Sequence, residues 1–218
     1  MSPTEVVLAT HNDKKLTELR RLVEAAGLDV AVLGLADLPP YPEPAETETT
    51  FEGNALIKAR AAVAETGRIA LADDSGLAVD RLNGMPGVRS ARWAGPGSGD
   101  AANNDLLLRQ LDDVPDAHRT AQFVCAMALV GPDGREVVRH GVVDGRLLTA
   151  PRGENGFGYD PLFVPDGYEQ TTAELDPSAK DAISHRGRAV RAILVDLADW
   201  LDTTGGTRAT RRTRRTQS

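Results

Sequence analysis

The sequence predicts an α/β fold: a mixed central sheet with flanking helices, forming two lobes around a cleft. Three observations lead there. The chain opens strand, short turn, helix, strand before Leu33, which is the α/β signature. Two longer runs, Arg119 to Val130 and Arg135 to Leu148, flank Gly131-Pro132-Asp133-Gly134 and read as antiparallel strands around a turn. The unusual polar segments all fall at element ends or in loops, where open α/β sheets place ligand sites.

Taken in order, Thr4 to Ala9 is a β-branched run and reads as the first strand. Leu16, Leu19, Leu22 and Val23 repeat at helical spacing, with Asn12 or Thr10 as the cap and Gly27 as the stop. Leu28 to Leu33 reads as a second strand. Pro39, Pro40, Pro42 and Pro44 make Leu38 to Glu48 an extended loop. Phe51 to Thr66 is an Ala-rich helix stopped by Gly67, and Ile69 to Ala72 is a four-residue buried strand running into Asp73. Gly84 to Gly99 is rich in Gly and Pro and reads as a mobile surface loop. A short helix over Asn103 to Leu111 follows, then the two antiparallel strands, a turn-forming segment over Gly153 to Asp160, and a mostly helical Pro177 to Trp200.

The balance of 41% hydrophobic and 26% charged residues is that of a soluble globular protein, and only 4% aromatics means a core of Leu, Val, Ile and Ala. The lone Cys125 excludes an internal disulfide and reads as a small buried hydrophobe. Met1 to Ala9 has no basic segment followed by a long apolar stretch, and no run approaches the ~20 apolar residues a membrane span needs, so a cytoplasmic location is expected. Net charge is −7, but Arg208, Arg211, Arg212, Arg214 and Arg215 all lie in the last twelve residues; without them the body carries −12. That sign disfavours nucleic acid as a specific partner and suits an enzyme whose metal ion meets a phosphate. The expected organisation is one two-lobed domain over 1–203 and a disordered Arg-rich tail over 204–218.

Five segments carry chemistry. Thr10-His11-Asn12-Asp13-Lys14-Lys15 opens the first helix, where backbone N–H groups and the dipole favour phosphate; an ordinary capped helix with two solvated lysines reads the same way. There is no Gly-Lys-Ser or Gly-Lys-Thr, hence no Walker A loop. Asp73-Asp74-Ser75-Gly76 places paired carboxylates after a buried strand, where they suit Mg²⁺ or form an Asx-turn. Neighbours on a strand face opposite sides, so one carboxylate reaches the cleft and the other supports it. Glu46-Thr47-Glu48 precedes a helix and offers a second metal carboxylate or a plain acidic cap. Asn155 to Pro161 sets Phe157 and Tyr159 among glycines, as base-stacking rings or as core anchors, with Asp160 able to accept from a base N–H. Lys180 and Ser184-His185-Arg186-Gly187 start the last helix with cationic groups that suit a carbonyl oxygen or a phosphate, or simply solvent.

In this order the segments resemble the inosine triphosphate pyrophosphatases, the HAM1-like family that acts on noncanonical purine nucleotides. The resemblance rests on Thr10 to Lys15, Glu46-Thr47, Thr50-Phe51 with Asn54-Ala55 and Lys58-Ala59, Asp73 to Gly76, Pro86-Gly87-Val88-Arg89-Ser90-Ala91-Arg92, Phe157 to Pro161, Lys180 and Ser184 to Gly187, and spans roughly residues 4–201. One position departs: the family often has Glu before the helical Asn, and here stands Gly53, so Glu46, Glu52 or a water takes that role.

What the resemblance implies is a homodimeric, Mg²⁺-dependent hydrolase. It splits inosine, deoxyinosine or xanthosine triphosphate into the monophosphate and pyrophosphate. By similarity Asp74 is the general base and a metal ligand, and Glu46 the other ligand. Thr10, Asn12, Lys15 and Ser75 grip the triphosphate. Phe157 stacks the purine, Asp160, His185 and Arg186 read its edge, and Lys180 contacts phosphate or base. His11, Asp13, Lys14, Gly158 and Tyr159 complete the substrate-binding segments. The alternatives are a Maf-like pyrophosphatase acting on modified pyrimidines and a catalytically silent nucleotide sensor.

Overall fold

A computed structural model describes residues 3–213, with side chains through residue 203. Six strands form one sheet in the order β2-β1-β3-β4-β5-β6. They are β1 (Thr4–Leu8), β2 (Val30–Gly34), β3 (Ile69–Val79), β4 (Thr120–Val130), β5 (Glu136–Leu147) and β6 (Phe163–Pro165). β1 pairs in parallel with β2 and β3, and every later pair is antiparallel. The mixed α/β architecture read from the sequence is therefore the observed one.

Helices α1 (Asp13–Ala25) and α5 (His185–Thr213) cover one face; α2 (Phe51–Thr66) covers the other. On the first face Val6, Leu8, Leu71 and Met127 meet Leu19 and Val23 of α1 and Ile193 and Leu197 of α5. On the second, alanines of β3 and β4 meet Ala55, Ala59 and Ala62, so α2 lies close against the sheet. Past the end of β1, the long strands β3, β4 and β5 continue into a second core. There Leu77, Phe123, Val143 and Leu147 pack on Leu107 of α3 (Gly99–Gln110), on Leu111 just past its end and on Phe163.

Two elements differ from the sequence reading. β3 does not stop at Ala72: it runs eleven residues, with Asp73-Asp74-Ser75-Gly76 in its middle. Asp and Gly have low strand propensity, but ten consecutive pairs with β4, Ala70↔Val130 through Val79↔Ala121, override it. The 84–99 segment is not a free loop. Gly87–Arg92 forms a 3-10 helix packed on β3, where the buried Ser90 hydroxyl accepts from Leu77 N at 2.9 Å and donates to Gly87 O at 2.7 Å. The helical Pro177 to Trp200 segment is split at Ser184 into α4 (Pro177–Ile183) and α5. α5 is traced to Thr213; side chains from 204 and the chain from 214 lie outside the described residues, and the expectation of a disordered tail lies there too.

Candidate active site

Chain direction makes the site. From the carboxyl end of β1 the chain turns through α1 on one face to β2, then returns through α2 on the opposite face to β3. β1 and β3 pair only as far as Leu8↔Leu71, so the strands part where α1 begins. This is a topological switch point, the crevice in which open sheets bind ligands.

A notch of about 580 Å³ opens there, lined by Thr10, His11, Asn12, Asp13, Lys15, Lys58 and Asp73 among others. Asn12 caps α1, its Oδ1 accepting from Lys14 N at 3.0 Å and Lys15 N at 3.3 Å. The cap thus takes two N–H groups of the helix end for itself. Thr10, Lys15 and the helix dipole remain for an anion.

Asp73 and Asp74 face opposite sides of β3, as strand alternation requires. Asp73 points toward α1 and α5. It is 3% exposed and pairs with Lys15 Nζ at 2.7 Å and Arg186 Nε at 3.4 Å. Burial alone would raise its pKa, but Lys15 and Arg186 outweigh it and hold the carboxyl well below the usual aspartate range. Asp74 points toward α2. It accepts from Asn54 Nδ2 at 3.1 Å and lies 3.6 Å from Lys58 Nζ. Its burial wins over Lys58 and Asn54, so its pKa is raised.

Glu46 reaches the same lysine at 3.1 Å and Arg92 at 2.8 Å. Burial works against it too, but Arg92 and Lys58 keep Glu46 below the ordinary glutamate range. Glu52 faces elsewhere, 3.9 Å from His140. At Gly53 an added Cβ would lie 2.6 Å from the Glu48 Cβ, so this glycine lets the Glu48 side chain lie close against the start of α2.

The notch continues through Asn12, Asp13 and Lys15 into a cleft of about 550 Å³ that reaches Lys14, Ser75, Phe157, Lys180, His185 and Arg186. Phe157 is 59% exposed, with Lys180 Nζ 5.1 Å from its ring centroid. His185 stacks on Phe123 at 4.9 Å, and burial together with Lys180 pushes its pKa down to about 3, leaving a neutral imidazole. Arg186 is buried against Glu18, with which it forms an ion pair. The start of α5 can sit this low because β5 offers Gly141: an added Cβ there would collide with the His185 carbonyl oxygen and lie 2.7 Å from Ala189 N.

Two expected contacts are used differently. Tyr159 is 4% exposed and donates its hydroxyl to Ser90 O at 2.9 Å, the core-anchor reading of that aromatic. Asp160 is equally buried and has both oxygens engaged: Oδ2 by Phe157 N and Lys180 Nζ, Oδ1 by Thr172 Oγ1. It fastens the loop through these three bonds. The sequence reading gave no role to Lys58, Asn54, Arg92 or Glu18. Asn54 and Lys58 were visible as a polar i, i+4 pair in an alanine-rich helix; Arg92 and Glu18 meet their partners only through the fold.

Fold and site together define a mixed α/β protein with a groove at a switch point, lined by a helix N-terminus, lysines and carboxylates. The chain belongs to the Ham1 family, whose model matches residues 6–195. A dITP/XTP pyrophosphatase of Frankia alni is 62% identical over 191 residues, 85% of this chain and 93% of the relative. The crystal structure of a nucleoside-triphosphatase/dITP/XTP pyrophosphatase from Mycobacterium abscessus is 55% identical with a TM-score of 0.77, covering 89% of this chain and all of that one. A HAM1 protein from Coxiella burnetii is 41% identical with a TM-score of 0.84, covering 90% and 99%.

Proposed function

We propose that this chain hydrolyses noncanonical purine nucleoside triphosphates, those of inosine, deoxyinosine and xanthosine, to the monophosphate and pyrophosphate, clearing them from the nucleotide pool. The observation that carries this reading is the groove that runs from the start of α1 to the exposed ring of Phe157 and is lined by Lys58, the lysine that bridges Glu46 and Asp74. The names of the relatives agree with it.

Mg²⁺ fits the residues present. Glu46 and Asp74 converge on one cationic point, the Lys58 ammonium, at 3.1 and 3.6 Å. Among the described residues no group of three or more His, Cys, Asp or Glu stands ready for a metal. Mg²⁺ needs only one or two carboxylates, with phosphate and water completing its shell. When bound it would neutralise charge on the phosphate oxygens.

The protein's own groups do the rest. Lys15, Thr10, Asn12 and Ser75 hold the triphosphate, with Asp73 keeping Lys15 aimed. Asp74, made more basic by burial, accepts the proton of the attacking water. The water oxygen bonds to the α-phosphorus, the bond to the bridging oxygen breaks, and pyrophosphate leaves. Hydrolysis in ¹⁸O-water is expected to label the monophosphate alone. Label in pyrophosphate would mean attack elsewhere.

Phe157 stacks the purine, and Arg186 reads its 6-oxo group. The guanidinium has five donors: Nε is buried against Asp73, Nη1 pairs with Glu18 and Nη2 donates to Lys15 O at 3.4 Å, so the remaining N–H groups of Nη1 and Nη2 serve the base. Asp160 Oδ1 or a backbone carbonyl accepts the N1–H of hypoxanthine. Adenine reverses both polarities and leaves buried groups unpaired. Arg186→Ala is expected to lower the ratio of kcat/KM for inosine over adenosine triphosphate about 10- to 100-fold, the worth of a hydrogen bond to a charged group. An unchanged ratio would take Arg186 out of base reading.

We further read residues 1–203 as one two-lobed domain with an Arg-rich tail, acting as a cytoplasmic homodimer with no specific nucleic-acid partner. The family resemblance and the acidic body support this. No helix among the described residues is long and apolar enough to cross a membrane.

A further inference from the structure

Phe157 is exposed and sits between Gly156 at φ +81° and Gly158 at φ +61°, both in the left-handed region that favours glycine. Such a loop is costly to order, and a stacking ring contributes affinity only to the extent that it is held before the ligand arrives. The ring has somewhere to go: it lines the nucleotide cleft and also a second cavity of about 370 Å³ between the loop and α3.

One fastener lies within the loop, where Asp160 Oδ2 accepts from Phe157 N at 2.8 Å. Another comes from outside. Gly158 N donates to Asp100 Oδ2 at 2.6 Å, and Asn104 Nδ2 donates to Gly158 O at 2.9 Å. Asp100 and Asn104 stand one helical turn apart on α3, so one helix face takes both polar groups of the residue following the stacking ring. The helix is itself anchored: Leu107 is fully buried, and the buried Asn103 accepts from Ala94 N at 2.8 Å.

We infer that Asp100 and Asn104 form a clamp, a pair of positioning residues that pre-set Phe157 for stacking without touching the nucleotide. This rests on the stacking role proposed above. α3 thereby joins the site, although nothing in its sequence pattern marks it as more than a short packed helix.

The test is the double variant Asp100→Ala/Asn104→Ala, with Asp100→Asn, which keeps an oxygen acceptor, as the rescue. Amide hydrogen exchange of residues 155–160 in nucleotide-free protein is expected to quicken several-fold in the double variant and stay near wild type in Asp100→Asn. KM for inosine triphosphate is expected to rise about tenfold with kcat within about twofold, because pre-ordering is lost but the chemistry is not. Inhibition by inorganic tripolyphosphate, which has no base, should be unchanged. Unaltered exchange overturns the clamp whatever the substrate proves to be. Faster exchange with equal weakening of inosine triphosphate and tripolyphosphate would overturn the positioning role, since general loosening of α3 does that. A wild type without turnover of inosine triphosphate would remove the stacking role instead, while the exchange result still decides whether the clamp exists.

Discussion

Asp74→Asn is expected to lower kcat for inosine triphosphate by about 10²- to 10⁴-fold, the usual worth of a general base, without destabilising the protein. The substitution is isosteric, and Lys58 keeps its 3.1 Å contact with Glu46. The raised Asp74 pKa sets the sign of the stability effect. A carboxylate whose pKa rises on folding is disfavoured in its charged form by the fold, so removing that charge leaves stability equal or higher at neutral pH. Loss of turnover with no loss of stability is the expected cost pattern of a functional site. Steady-state kinetics and thermal melting read both quantities. A kcat within a few-fold of wild type would remove Asp74 from the base role.

The neighbouring residue should behave in the opposite way. Asp73→Ala strips the shared anion from Lys15 and Arg186 and leaves two buried or half-buried cations facing each other. Breaking a buried pair from one side costs about 3–5 kcal/mol, which for a chain of this size lowers Tm by about 6–20 °C. Its pH dependence also has a defined sign. Asp73 has a native pKa below its unfolded one, so its contribution is present above about pH 4 and is lost as pH falls through the native value. The variant should therefore lose most at neutral pH and approach wild type in strong acid. Denaturant unfolding at several pH values checks this; a uniform loss of under about 1 kcal/mol would mean the cations do not depend on Asp73.

The contrast between Asp73 and Asp74 also shows where the sequence was legible. That two adjacent carboxylates on a strand must serve opposite faces followed from alternation alone. That the strand continued past them did not, because Ser75 to Val79 are held by β4, more than forty residues away. The helix over Phe51 to Thr66 and the Asn12 cap were readable because their signals are local. Arg92 and Glu18 were not, because each acquires its role from a partner brought by the fold: Glu46 and Arg186 respectively. Asp160 shows the converse. Its segment read as a base-binding turn, and only the fold shows its carboxylate also fastening that turn through Phe157, Lys180 and Thr172.

The most direct measurement is pyrophosphate release from a panel of inosine, xanthosine, adenosine, guanosine and pyrimidine nucleoside triphosphates, with Mg²⁺ and with the metal chelated. Rapid, Mg²⁺-dependent release confined to inosine and xanthosine triphosphates is the predicted result. Release spread evenly over the panel, confined to pyrimidines, or absent altogether would contradict the account.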